Sequence, residues 1–200
     1  MCDFKNVNQT TLSQLYQRLE TIAKKVPGGK IVAEHIGPMK ELLAQGRLEA
    51  ARNSGDRALQ LETARAITKA VAAICTAIGM QPIPLADLPL LTALQLLMVG
   101  AIMYVSGRNV SRKAIAEFVT IVGANFGAAF VLRQSSRVLL KLLPIWGDAI
   151  SGAVAGAGTL ALGKAATAYF IEGVPLEKTR SVFRRALQAK ALLLKDKNET

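Results

Sequence analysis

The glycine-rich stretch from Gly152 to Ala165, GAVAGAGTLALGKA, comes nearest to a chemical motif in this chain. Gly158 to Lys164 fits G-x-x-x-x-G-K, the loop whose backbone N–H groups cradle phosphates, but Ala165 stands where the Mg²⁺-binding Ser or Thr belongs. Gly156-Ala-Gly158-Thr-Leu-Ala161 mimics a dinucleotide fingerprint, yet no strand is predicted ahead of it. Small residues at Gly152, Gly156 and Gly163, like Gly123 and Gly127 upstream, are better read as positions where helix backbones approach closely. Other chemistry is short of material. His35 is the one histidine, and two cysteines, Cys2 and Cys75, suggest neither a metal cluster nor a disulfide framework. Asp87, Glu117 and Asp148 are the acids of the apolar region; an acid–base pair among them competes with helix-capping roles for Asp87 and Asp148. No catalytic residue, metal site or cofactor is expected, and the chain is read as not an enzyme.

The elements that would carry these residues are all helical. Leu12, Leu15, Leu19, Ile22 and Val26 recur at helical spacing, and Pro27-Gly28-Gly29 ends that helix. A second helix holds Ile31 to Leu43, with Gly37-Pro38 as a kink or break. After the polar break Arg52–Asp56, a long helix carries Leu59, Ala64, Ile67, Val71, Ile74 and Ile78 on one face, with Cys75 on that stripe as a small buried hydrophobe. Pro82, Pro84 and Pro89 then break the chain, because proline fixes φ and lacks a donor. Asp87 is placed to cap a helix that begins at Leu88 and runs uncharged to Ser106. A further apolar helix is expected over 111–132. Pro144-Ile-Trp-Gly-Asp148 repeats the proline-to-aspartate break ahead of Ala149–Tyr169, by capping chemistry or by diverged duplication. A basic amphipathic helix closes the chain, with Val182, Phe183, Ala186, Leu187 and Leu194 opposite Arg180, Arg184, Arg185 and Lys190. The expected architecture is an all-α, multi-helix bundle, divided into a lead-in (1–55), an apolar module (56–173) and a tail (174–200).

The formal net charge of +11 would suit nucleic acid or an anionic membrane surface. Only ten charged residues lie between Ala70 and Tyr169, so the charge crowds the two ends of a polar–apolar–polar chain. Six Phe, three Tyr and one Trp leave little to stack bases, and no nucleic-acid partner is expected. No signal peptide is expected, which places synthesis in the cytoplasm. As a helix, Leu88–Ser106 would measure about 28 Å, enough for a transmembrane span, and Leu142–Gly163 is longer. Against simple spanning, the Arg108/Arg112/Lys113 and Arg133/Arg137/Lys141 links would fall on opposite sides of a bilayer, contrary to the positive-inside tendency. Two arrangements satisfy the pattern: a hairpin inserted from the cytoplasmic face, or a bundle that buries these helices in its own core or in a homo-oligomer. The basic tail favours the membrane, with Arg180, Arg184, Arg185 and Lys190 facing anionic lipid.

Two long motifs carry a family resemblance. They are Ile78-Gly-Met-Gln-Pro-Ile-Pro-Leu-Ala-Asp-Leu-Pro-Leu-Leu-Thr-Ala-Leu-Gln-Leu-Leu-Met98 and the segment from Lys141 through Pro144, Trp146 and Asp148 to Lys164. Over about Leu59 to Gly173 the chain resembles a bacterial helical domain of unknown function, related to the C-terminal part of YcjF-type membrane proteins. That domain often follows the G domain of Era-like or dynamin-like GTPases. The resemblance implies an all-helical, often membrane-associated module. Leu12–Val26 and Gly37-Pro-Met-Lys-Glu-Leu-Leu43 are similar to the helical lead-in of those GTPases. No P-loop, D-x-x-G or N-K-x-D lies between the two parts, so the chain resembles such a GTPase with its G domain excised. It is therefore expected to serve as an accessory subunit or effector of a GTPase supplied in trans; the alternative is an oligomeric scaffold or pore independent of any GTPase.

Overall fold

The computed structural model describes residues 17, 21, 46–80, 88–122 and 146–196, with the side chains of 88, 146–151 and 190–196 outside that description. Among these residues the chain is all-helical, without a strand, and forms a multi-helix bundle. The helices are α1 (Arg47–Ser54), α2 (Arg57–Gly79), α3 (Leu88–Val105), α4 (112–122), α5 (Trp146–Phe170) and α6 (Leu176–Asp196).

Local chemistry sets the boundaries. α1 is bracketed by Gly46 and Gly55, both left-handed with φ near 65°, a conformation that costs glycine little. The Asp56 carboxylate caps α2 by accepting the Ala58 N–H at 2.8 Å. α3 begins at Leu88 with exposed Pro89 as its second residue, where a missing N–H is harmless. Pro82, Pro84 and Asp87 lie outside the described residues. Ser111 caps α4 through the Ala114 N–H at 3.1 Å. α5 starts at Trp146, so Asp148 sits inside its first turn rather than ahead of it, a shift of the size by which helix ends commonly differ.

α3 is the centre of the bundle. Every residue from Leu97 to Val105 is buried, on all sides of the helix. A helix apolar all round belongs either in a protein core or in lipid, and here other helices cover it. α1, α2 and α5 all pack on α3. The expectation of a transmembrane span is corrected here: among the described residues no helix is long and apolar enough to cross a membrane. At 18 residues and about 27 Å, α3 lies at the short end of the range for a span. α5 is longer, but its exposed Lys164 and its glycines lower its apolarity.

One hydrophobic cluster runs from Leu48 and Ala51 in α1, through α2–α5, to Phe183 in α6. The described parts of the lead-in and of the tail therefore share the core of the apolar module. Arginines from separate elements tie the helix ends together. The Arg52 guanidinium donates to the Tyr104, Gly107 and Arg108 carbonyls at 2.8, 3.1 and 3.1 Å, closing the C-terminus of α3. Arg57 reaches the Glu172 carbonyl at 3.2 Å and Arg108 the Tyr169 carbonyl at 3.4 Å, both at the end of α5. Cations at these negative ends offset the helix dipoles.

Candidate functional site

α2 and α5 run antiparallel, and their seam is built from glycine and threonine. An added Cβ at Gly152 would strike the Met80 side chain and lie 2.7 Å from the Thr76 carbonyl oxygen. At Gly156 it would strike Thr76 Oγ1, and at Gly163 it would strike Cγ2 and Oγ1 of Thr68. The backbones approach here because no side chain stands between them. Thr68 and Thr76 donate their hydroxyls to the Ala64 and Ala72 carbonyls, each at 2.8 Å, and thereby present methyl-sized surfaces to the seam. Gly123 and Gly127 lie outside the described residues.

The same geometry disposes of the phosphate-loop pattern. Gly158 to Lys164 lies within the continuous helix α5, where the backbone N–H groups are committed to the helix and cannot form a cradle. Lys164 points to solvent, and the dinucleotide-like Gly156–Ala161 is helical too.

Beside the seam lies a polar node, buried at Cys75 and Thr159 and half-buried at Gln95, that sequence reasoning did not connect. Gln95 of α3 donates to Thr159 Oγ1 at 3.1 Å, and that hydroxyl donates to the Ala155 carbonyl at 2.9 Å. Cys75 of α2 also hydrogen-bonds Thr159 and is fully buried; desolvation pushes its thiol up to about 12, with the Thr159 bond opposing the shift. A thiol so placed is not a nucleophile near neutral pH. No periodicity could have found this node, because its three members come from three helices.

The tail is where an outward-facing candidate site stands. α6 packs on α5 through Thr179 and Phe183, both buried, with Leu176, Ala186 and Leu187 half-buried beside them. Among the described side chains, the apolar side of the tail is therefore occupied by the protein's own core. Lys178, Arg180, Arg184 and Arg185 are exposed on the rest of the helix. Arg180 donates to the Ile121 carbonyl at 3.2 Å and so also ties α6 to α4, whereas Arg185 reaches only along its own helix to Ser181 Oγ at 3.2 Å. No carboxylate is in ion-pair contact with any of the four among the described residues. Lys190 lies in α6, but its side chain is outside the described ones.

Comparison with family models, with curated proteins and with solved structures yields no match.

Of the acids weighed for chemistry, Glu117 is exposed and pairs with Lys113 at 3.9 Å along α4, a surface contact of small energetic weight. Asp87, Pro144 and His35 fall outside the described residues, as does the side chain of Asp148. Among the described residues no group of three His, Cys, Asp or Glu side chains could hold a metal ion.

Proposed function

We propose that this chain is a non-catalytic helical module that docks on an anionic membrane surface and acts as accessory subunit or effector of a GTPase supplied in trans. The observation that carries the first half is the tail helix. Its apolar side is seated on α5, while Lys178, Arg180, Arg184 and Arg185 face outward without a carboxylate partner among the described residues. Exposed cations contribute little to the stability of a folded surface, but each contributes about 1 kcal/mol beside anionic lipid. Because Thr179 and Phe183 are buried in the bundle, contact over this part of α6 is electrostatic. The second half rests on the resemblance of the two proline–aspartate motifs and the lead-in to GTPases that carry a G domain between such parts.

The scaffold or pore reading draws less support. Gly152, Gly156 and Gly163 are spent on the α2–α5 seam within one chain, which removes them as a surface for a second copy.

Co-sedimentation with vesicles is the test. The wild type is expected to bind phosphatidylserine-containing vesicles, to ignore pure phosphatidylcholine, and to dissociate as salt rises. The double reversal Arg184→Glu/Arg185→Glu should weaken binding at least about 30-fold, from two lost contacts of about 1 kcal/mol each before any repulsion, while leaving the melting temperature unchanged. Equal binding to both vesicle types refutes the electrostatic docking. For the GTPase half, a G-domain protein captured from the native host should change its hydrolysis rate when the chain is added; an unchanged rate refutes the effector role.

A further inference from the structure

Ser181 sits at the middle of the outward face of α6. Residues three and four positions away on a helix are its neighbours, and for Ser181 these are Lys178, Arg184, Arg185 and Glu177. Its hydroxyl donates to the Lys178 carbonyl at 2.7 Å and accepts from the Arg185 guanidinium at 3.2 Å. A hydroxyl already held by a guanidinium, with two further cations within one turn, is a preformed site for a phosphoryl group.

From this geometry we propose that Ser181 is a phosphoacceptor, and that its phosphorylation switches off the basic face of α6. The step is a phosphoryl transfer from a nucleoside triphosphate, catalysed by a serine kinase that recognises flanking basic residues. Ser181 Oγ bonds to the γ-phosphorus, the bridge to the β-phosphate breaks, the nucleoside diphosphate leaves, and the hydroxyl proton passes to the kinase's base. The three cations nearest Ser181, taken with Glu177, sum to +2, and Arg180 brings the outward face to +3. A phosphate of about −1.5 to −2 removes at least half of that charge and also draws Arg185, Arg184 and Lys178 into pairs along the helix. Helix structure survives, because the new pairs are at i,i±3 and i,i+4 spacing.

The inference rests on the membrane-docking reading above, and the experiment separates the two. Purified full-length chain is incubated with ATP and a panel of arginine-directed serine kinases, and the modified site is mapped by mass spectrometry. Phosphate on Ser181, absent in Ser181→Ala, is expected; a panel that leaves Ser181 unmodified overturns the proposal. Wild type, phosphorylated wild type, Ser181→Ala and Ser181→Glu are then compared on vesicles of one part phosphatidylserine to three parts phosphatidylcholine. Phosphorylation should weaken binding about 30-fold, Ser181→Glu should weaken it by less, and Ser181→Ala should match wild type. Undiminished binding of the phosphorylated protein overturns the switch while leaving the docking surface intact. A wild type that ignores these vesicles overturns the docking reading itself, and the switch with it.

Discussion

Gly163→Ala is the smallest change that interrogates the α2–α5 seam. On an open helical face it would stabilise the protein by about 1 kcal/mol, because alanine is the better helix former. At this position the new methyl would overlap Cγ2 and Oγ1 of Thr68 and lie 2.9 Å from Thr68 Cβ. Rotating Thr68 cannot relieve the clash, since Cβ does not move with χ1, and rotation also breaks the 2.8 Å bond to the Ala64 carbonyl. Carbon–carbon contact is comfortable near 3.5 Å, so the two helices must part by about 0.6 Å. Parting helices packed over several turns belongs at the upper end of the overpacking cost, about 3 kcal/mol, which leaves a net loss of about 2 kcal/mol.

Urea unfolding followed by circular dichroism measures this as a fall in midpoint at unchanged m-value. Thr68→Ala in the Gly163→Ala background removes the two overlapping atoms and should restore part of the loss, giving a coupling of at least about 1 kcal/mol in a double-mutant cycle. The neighbouring Lys164→Ala, at an exposed position, should stay within about 0.5 kcal/mol of wild type. If Gly163→Ala instead raises the midpoint, the glycine is not at a close contact and the seam is wrongly drawn.

Two further perturbations follow from the core and the caps. The folded Cys75 thiol, pushed up to about 12 from 9.0, stays protonated where the unfolded thiol ionises, so wild-type stability should fall between those pH values relative to Cys75→Ala, by up to about 1.4 kcal/mol per pH unit. A wild-type-minus-variant difference that is flat across this range would contradict the burial. Arg52→Ala removes three hydrogen bonds to carbonyls at the end of α3 and a guanidinium 4.6 Å from the Tyr104 ring centroid, and should cost about 2 kcal/mol in the same urea assay. Arg52→Lys should recover less than half, since an ammonium cannot span three acceptors with a planar fork.

Much of the fold was legible because its signals are local. Asp56, Ser111 and the Leu88–Pro89 start are capping chemistry that acts within a few residues of the signal itself. The stripe Ala64, Ile67, Val71, Ile74 and Ile78 is buried as periodicity requires. The second face of α2 escaped notice because Thr63, Thr68 and Thr76 score as polar; for Thr68 and Thr76 a carbonyl one turn back accepts the hydroxyl, and the residue packs as a small apolar one. The tail is legible as amphipathic, yet periodicity describes one helix and says nothing of what covers it. Phe183 and Thr179 needed α5 to be in place before their partner could be named.

The larger ambiguity lay in α3, and its physics explains why hydropathy alone could not resolve it. Burial in a bilayer and burial in a bundle both remove apolar surface from water, so Leu90 to Val105 satisfies either with the same residues. The two differ in what becomes of the polar atoms among them. In lipid the Gln95 amide would lack a partner unless another helix supplied one, and an unpaired amide there costs several kcal/mol. Here Thr159 supplies it at 3.1 Å, from the helix that also meets α2 at the glycine seam. Gln95 thus fixes which face of α3 meets α5, and the seam sets how closely α5 can approach. The leucines around Gln95 accept many apolar neighbours, whereas its amide selects a polar one, so the Thr159 bond specifies the register of α3 on α5.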